Sequence, residues 1–139
     1  MRERGRRASR EQAVFLLYQH DLTSLSIEQL EENARRGGDP PLDEFGRSLV
    51  VGVLGEQASL DEAITAAAEG WTADRLAPLE RNILRVAVHE LRSREDIPPA
   101  VSINEAVDLA KRYCQAEAPG LVNGILGRIA SDVAGHPSA

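Results

Sequence analysis

Five of the first ten residues are arginine (Arg2, Arg4, Arg6, Arg7, Arg10), giving that segment a net charge of +4 in a chain whose total is −6. Guanidinium suits phosphate well, being planar, permanently charged and able to donate two parallel hydrogen bonds. A basic cluster on an acidic body therefore points to a polyanion at one face, nucleic acid first, and to something else at the others. The competing reading is a solvated terminus in an arginine-rich sequence, since 15 of the 16 basic residues are Arg.

Catalytic groupings are missing. His20, His89 and His136 are scattered, without the His-x-x-x-His or Glu-x-x-His spacing of a metal site. Cys114, the single cysteine, falls late in an amphipathic stretch, where a half-buried thiol is the simpler reading than a nucleophile. There is no Walker loop and no Gly-x-Gly-x-x-Gly after a strand. Two Gly-x-x-Gly tetrads, at 52–55 and 124–127, have the form of the clamp that KH modules close on RNA backbone. Their apolar, helical flanks make close helix packing the expected explanation.

The elements that must position these groups read as helices. A length of 139 residues suits one domain with its own core. One cysteine excludes an internal disulfide and points to a cytoplasmic location. The arginine-rich start lacks a following apolar run and small-residue cleavage site, and no stretch approaches the roughly 20 apolar residues of a membrane helix. Ser/Thr-x-x-Glu/Gln capping boxes are legible at Ser9/Gln12, Ser26/Gln29, Ser59/Glu62 and Ser102/Glu105. Apolar residues at i, i+3, i+4 spacing then predict about seven helices. These run from Ser9 to Thr23, from Ile27 to a stop at Gly37-Gly38, through Leu42, Phe45, Leu49 and Val53, from Leu60 to Glu69, from Leu79 to Arg92, from Ser102 to Cys114, and from Pro119 to Val133. Trp71 is expected as a large core anchor. The resulting organisation is a basic arm at 1–8, one all-α domain at 9–134 and a frayed tail at 135–139.

Three stretches carry a more specific message: Arg6-Arg7-Ala8-Ser9-Arg10-Glu11-Gln12-Ala13-Val14 with Leu17-Tyr18; Trp71 with Arg75-Leu76 and Glu80-Arg81-Asn82-Ile83-Leu84-Arg85; and Asp96-Ile97-Pro98 leading through Ser102-Ile103-Asn104-Glu105-Ala106-Val107 and Ala110-Lys111 to Val122-Asn123-Gly124-Ile125-Leu126. In order and spacing this set resembles the bacterial transcription antitermination factors of the NusB family, from about Arg6 to Ile129.

The resemblance implies an all-helical bundle in two subdomains, without cofactor, metal or catalytic activity. It implies a cytoplasmic adaptor that pairs with the ribosomal protein NusE and binds single-stranded boxA RNA in nascent ribosomal RNA transcripts. Through other Nus factors it implies contact with the RNA polymerase elongation complex. The family's RNA-binding positions fall on Arg6, Arg7 and Arg10, with Arg10 placed in the first turn of helix one. Lys111 and the 115–121 loop continue that surface, and Glu80 marks the expected partner-binding face. Leu121 stands where an aromatic often precedes Val-Asn-Gly, which removes a stacking platform worth roughly 1–3 kcal/mol per base. His89 stands where an aromatic often precedes Glu-Leu. Two alternatives remain open at this level. One is an RNA-recognition subunit related to the front domain of certain ribosomal RNA methyltransferases, which would need a separate catalytic chain. The other is a homodimer that masks its own RNA surface.

Overall fold

The computed structural model describes residues 3–70 and 72–135, so Arg2, Trp71 and residues 136–139 of the expected tail lie outside the described residues. Six α-helices follow in order, α1 (Glu3–Leu22), α2 (Ile27–Arg36), α3 (Glu44–Ala67), α4 (Pro78–Ser93), α5 (Pro99–Tyr113) and α6 (Ala118–Gly135), with a 3₁₀ turn at Ala73–Arg75 before α4. No strand occurs among the described residues, and the all-α reading holds. The count is six rather than seven because the expected third and fourth helices abut without a loop in α3, where a break in helical backbone at Glu56 (φ −123°, ψ 15°) separates them.

Three of the four capping boxes do not form. Ser26/Gln29 does: the Gln29 N–H donates to the Ser26 hydroxyl (3.1 Å) and the Ser26 N–H to the Gln29 side-chain oxygen (2.8 Å). Ser9 instead lies inside α1, because that helix starts at Glu3 and takes in most of the residues expected as a separate arm. Ser59 lies inside α3. Ser102 lies inside α5, whose start is set by Pro99, just as Pro78 starts α4; proline suits the first helical position because its missing N–H has no helical partner there anyway. Asp43 caps α3 by accepting from the Gly46 N–H at 2.8 Å. The chain leaves α2 through Gly38 at φ +91°, a left-handed conformation that costs glycine nothing.

Helix α4 is the axis of the molecule. It packs on α1, α3, α5 and α6, and every residue from Asn82 to Glu90 is buried. A single apolar cluster runs along it, including Leu17 from α1, Leu49, Leu60 and Ile64 from α3, Ile83 and Leu84 from α4, and Ile125 and Leu126 from α6. A helix enclosed on all sides is normally apolar all round, yet α4 carries Asn82, Arg85, His89 and Glu90 into the interior. Each must therefore be matched.

Glu90 accepts from Arg10 through both oxygens (Nε 2.6 Å, Nη2 3.1 Å) and from the Ser102 hydroxyl (2.7 Å), tying α1 and α5 to α4. Arg85 forks onto Asp61 of α3 at 2.7 and 2.8 Å. Asp21 at the end of α1 accepts from Arg81 (3.0 and 2.8 Å), Asn82 (3.0 Å) and Arg85 (3.2 Å). Burial raises the Asp21 pKa, but the hydrogen bonds from Arg81 and Asn82 and the charges of Arg81 and Arg85 outweigh it, leaving the carboxyl below its ordinary value of 3.8.

At the kink, the His89 ring lies against α3, with Nδ1 3.3 Å from Glu56 Oε1. A Cβ at position 52 would fall 2.2 Å from His89 Cε1, so Gly52 is where α3 admits the ring. This fulfils the packing expectation for one glycine of the two tetrads; Gly55, Gly124 and Gly127 have open space where a Cβ would sit. Among the described residues, no helix is long and apolar enough to cross a membrane, and no three His, Cys, Asp or Glu side chains are grouped to hold a metal ion.

Glu90→Ala leaves the Arg10 guanidinium buried without its principal counter-charge; the expected loss is about 3–5 kcal/mol, the range for breaking one side of a buried pair. The urea midpoint should fall at unchanged slope, and a loss below about 1 kcal/mol would contradict the account. Asp21 has a folded-state pKa below its unfolded value, so its contribution is complete above about pH 4 and lost as pH falls through the folded pKa. Urea midpoints between pH 5 and 2 should therefore decline less steeply for Asp21→Asn than for the native chain.

Candidate nucleic-acid interface

A helix turning about 100° per residue distributes side chains around its axis, and because α1 begins at Glu3 its arginines go to different places. Arg6 and Arg10, four apart, share a face directed at α4 and the start of α3, while Arg7 is turned toward α5. The expectation for Arg10 is corrected here. It lies two turns into α1, beyond the amide-rich helix end, and its side chain is 3% exposed and committed to Glu90. A guanidinium enclosed in this way is committed to the interior of the fold.

Arg6 is largely covered as well, its side chain 18% exposed. It donates to Asp96 at 2.9 Å, and its guanidinium carbon lies 4.6 Å from the Phe45 ring centroid. Arg94 approaches the same ring at 5.1 Å and grips Asp96 through two hydrogen bonds of 3.0 Å. Three guanidiniums, with Arg10 at 5.4 Å, thus lie over the Phe45 ring, whose π face attracts cations. Hydrogen bonds from Arg94 and then Arg6 hold the Asp96 carboxyl well below the usual carboxylate range, so this carboxylate stays charged and keeps both arginines engaged.

Arg7 differs, with half of its side chain open to solvent. Its Nε is 3.2 Å from Glu105 and its Nη2 2.5 Å from Asp108, both on α5. Asp108 also accepts from Arg112 one turn later at 2.9 Å. Burial raises the Asp108 pKa, but the hydrogen bonds and charges of Arg7 and Arg112 prevail and lower it. Arg112 reaches across to Glu11 of α1 at 3.4 Å, and the Tyr113 hydroxyl donates to the same carboxylate. Phe15 meets the Tyr113 ring edge to face at 4.9 Å.

The α1–α5 seam therefore brings together Arg7, Arg112 and Tyr113, with Lys111 exposed beside them. Only Arg7 and Lys111 of this set were marked from sequence. The Asp108/Arg112 spacing of four was readable as a helical ion pair. The pairing of Glu11 with Tyr113, 102 residues apart, left no local signal. Leu121 is half-buried at the start of α6 and packs on the core.

Glu80 lies elsewhere. It sits half-buried in the first turn of α4, where its charge, after burial itself, helps raise the Cys114 thiol pKa at the end of α5. Cys114 is half-buried, as its position late in an amphipathic stretch predicts. A separate groove of about 700 Å³ opens between α1, α2 and residues 39–42, floored by Phe15, Leu16, Pro40 and Leu42 and rimmed by Glu28, Glu31, Glu32 and Asp39 together with Arg35 and Arg47.

The model of the NusB family matches residues 7–131. The transcription antitermination protein NusB of Bacillus subtilis is 41% identical over 128 residues, covering 92% of this chain and 96% of that protein. Among solved structures, T. maritima NusB superposes with a TM-score of 0.82 at 34% identity, over 91% of each chain. A crystal structure of the antitermination factors NusB and NusE in complex with dsRNA gives 0.77 at 30% identity, over 93% of this chain and 98% of the matched one. With a family match across nearly the whole length and an all-helical fold to go with it, the chain belongs to the NusB family.

Proposed function

We propose that this protein is a non-enzymatic transcription antitermination factor that binds boxA-type RNA and pairs with the ribosomal protein NusE. The observation that carries the reading is the α1–α5 seam, where Arg7 and Arg112 stand partly exposed against Glu105, Asp108 and Glu11, with Lys111 exposed on the same helix α5. The similar NusB that was crystallised with NusE and dsRNA supports both partners. Arg7 is the phosphate-binding residue on this view. Its carboxylate partners are partly exposed, so a phosphate can replace them at modest cost, exposed ion pairs being worth about 1 kcal/mol or less. Arg6, at the Asp96 and Phe45 cluster, Lys111 on α5 and Leu121 on α6 are the further RNA-binding residues on this reading.

The protein partner is assigned to the face that includes Glu80. Contact with the RNA polymerase elongation complex follows through that assembly and the other Nus factors, in the cytoplasm.

The test is a fluorescence anisotropy titration of single-stranded boxA RNA, a scrambled strand and a duplex, each with and without NusE. Log affinity for the boxA strand should fall against log salt with a slope near −0.7 per phosphate neutralised. Arg7→Ala should flatten the slope by about that amount. Arg10→Ala should lower the melting temperature without changing the slope in the fraction that folds. Salt-independent binding, or equal affinity for boxA and scrambled strands in the presence of NusE, would overturn the reading.

A further inference from the structure

Among the described residues, Tyr113 is one of five large hydrophobic side chains left open, at 46% exposure. It closes α5, so its ring stands at the rim where the helix gives way to the loop into α6. Such a ring in open solvent would ordinarily be free to turn, but this one is held at three points. Its hydroxyl donates to Glu11, the Phe15 ring meets it at 90° and 4.9 Å, and the Arg112 guanidinium carbon lies 5.2 Å from its centroid. The holding groups come from α1 and α5 together, so the ring is set by the same seam that presents Arg7.

We propose that the Tyr113 ring is a platform on which one base of a single-stranded nucleic acid stacks, with Arg7 and Arg112 taking the flanking phosphates. This deepens the RNA-binding reading and rests on it. The chemistry is that of single-strand binding surfaces in general, where an aromatic face accepts any base and neighbouring cations follow the backbone. A fixed, half-open ring loses little freedom when the base arrives, because its orientation is already determined by Glu11 and Phe15. The Arg112 guanidinium, now over the tyrosine ring, moves to a flanking phosphate and leaves that face to the base. The platform also supplies what Leu121 does not: the aliphatic side chain at the start of α6 is partly buried in the core and has no π face to offer.

The experiment uses the full chain and single-stranded boxA RNA carrying 2-aminopurine at one position at a time, whose fluorescence is quenched by stacking. In the native protein, one position should be quenched on binding. Tyr113→Leu should abolish that quench and weaken binding on the order of 5- to 150-fold at unchanged salt slope, whereas Tyr113→Phe should keep both. If Tyr113→Leu binds and quenches like the native protein while Arg7→Ala still flattens the slope, the stacking role is overturned and the RNA reading stands. If the native protein shows no salt-dependent RNA binding, the RNA reading fails and the platform falls with it. If Tyr113→Leu binds RNA normally but loses affinity for NusE, the ring belongs to the protein face instead. Circular dichroism melts of both variants check folding, and absence of any quenched position in the native complex overturns the proposal whatever the variants do.

Discussion

The buried contact between Arg10, Glu90 and Ser102 constrains everything around it. It joins α1, α4 and α5 at one point in the interior, with the Arg10 and Glu90 side chains 3% and 0% exposed. As a source of net stability such a pair is weak, because stripping water from two charges offsets most of their attraction. As a penalty against error it is severe. Moving α1 by one residue along α4 would turn Arg10 away from Glu90 and leave both charges in a medium that cannot solvate either. Apolar packing around α4 tolerates small shifts; the bidentate pair does not. The second polar knot, at Asp21, Arg81, Asn82 and Arg85, ties the other end of α1 to α4 and reaches α3 through Asp61.

This arrangement divides the arginines of α1 by role. Arg10 is spent on the interior, Arg6 on the Asp96 and Phe45 cluster, and Arg7 on an exposed seam with α5. What looks in sequence like one basic arm is thus a helix whose inner face anchors the bundle and whose outer face meets α5 at a partly exposed seam. The anchoring has a functional consequence. Because Arg10 locks α1 against α4, and Ser102 brings α5 onto the same carboxylate, the distance between Arg7 and the α5 residues Asp108 and Arg112 is set by the core. A ligand that bridges α1 and α5 meets a rigid pair of helices.

Helix α3 shows a related economy of means. Its kink at Glu56 lies opposite His89, and Gly52 leaves room for that ring against the helix backbone. Bent there, α3 packs on α1, α4 and α6. A straight helix of 24 residues would run about 36 Å, longer than the 16-residue α4 it has to cover.

Sequence by itself determined the helical class, most helix bodies and the apolar stripe of each, because periodicity near 3.6 is a local property of neighbouring residues. It also marked Arg6, Arg7 and Lys111 as basic groups and, through the ordered motifs, pointed to the family. It misplaced the ends: Ser9 and Ser102 carry the signature of helix caps, yet their hydroxyls serve Asp43 and Glu90 inside the fold. Only the tertiary structure decided that Arg10 is interior and that Glu11 and Tyr113 meet. The physical reason is the same in each case. Whether a charge faces water or a carboxylate depends on what packs over it, and those partners lie 80 to 102 residues away in the chain, beyond the reach of any local pattern.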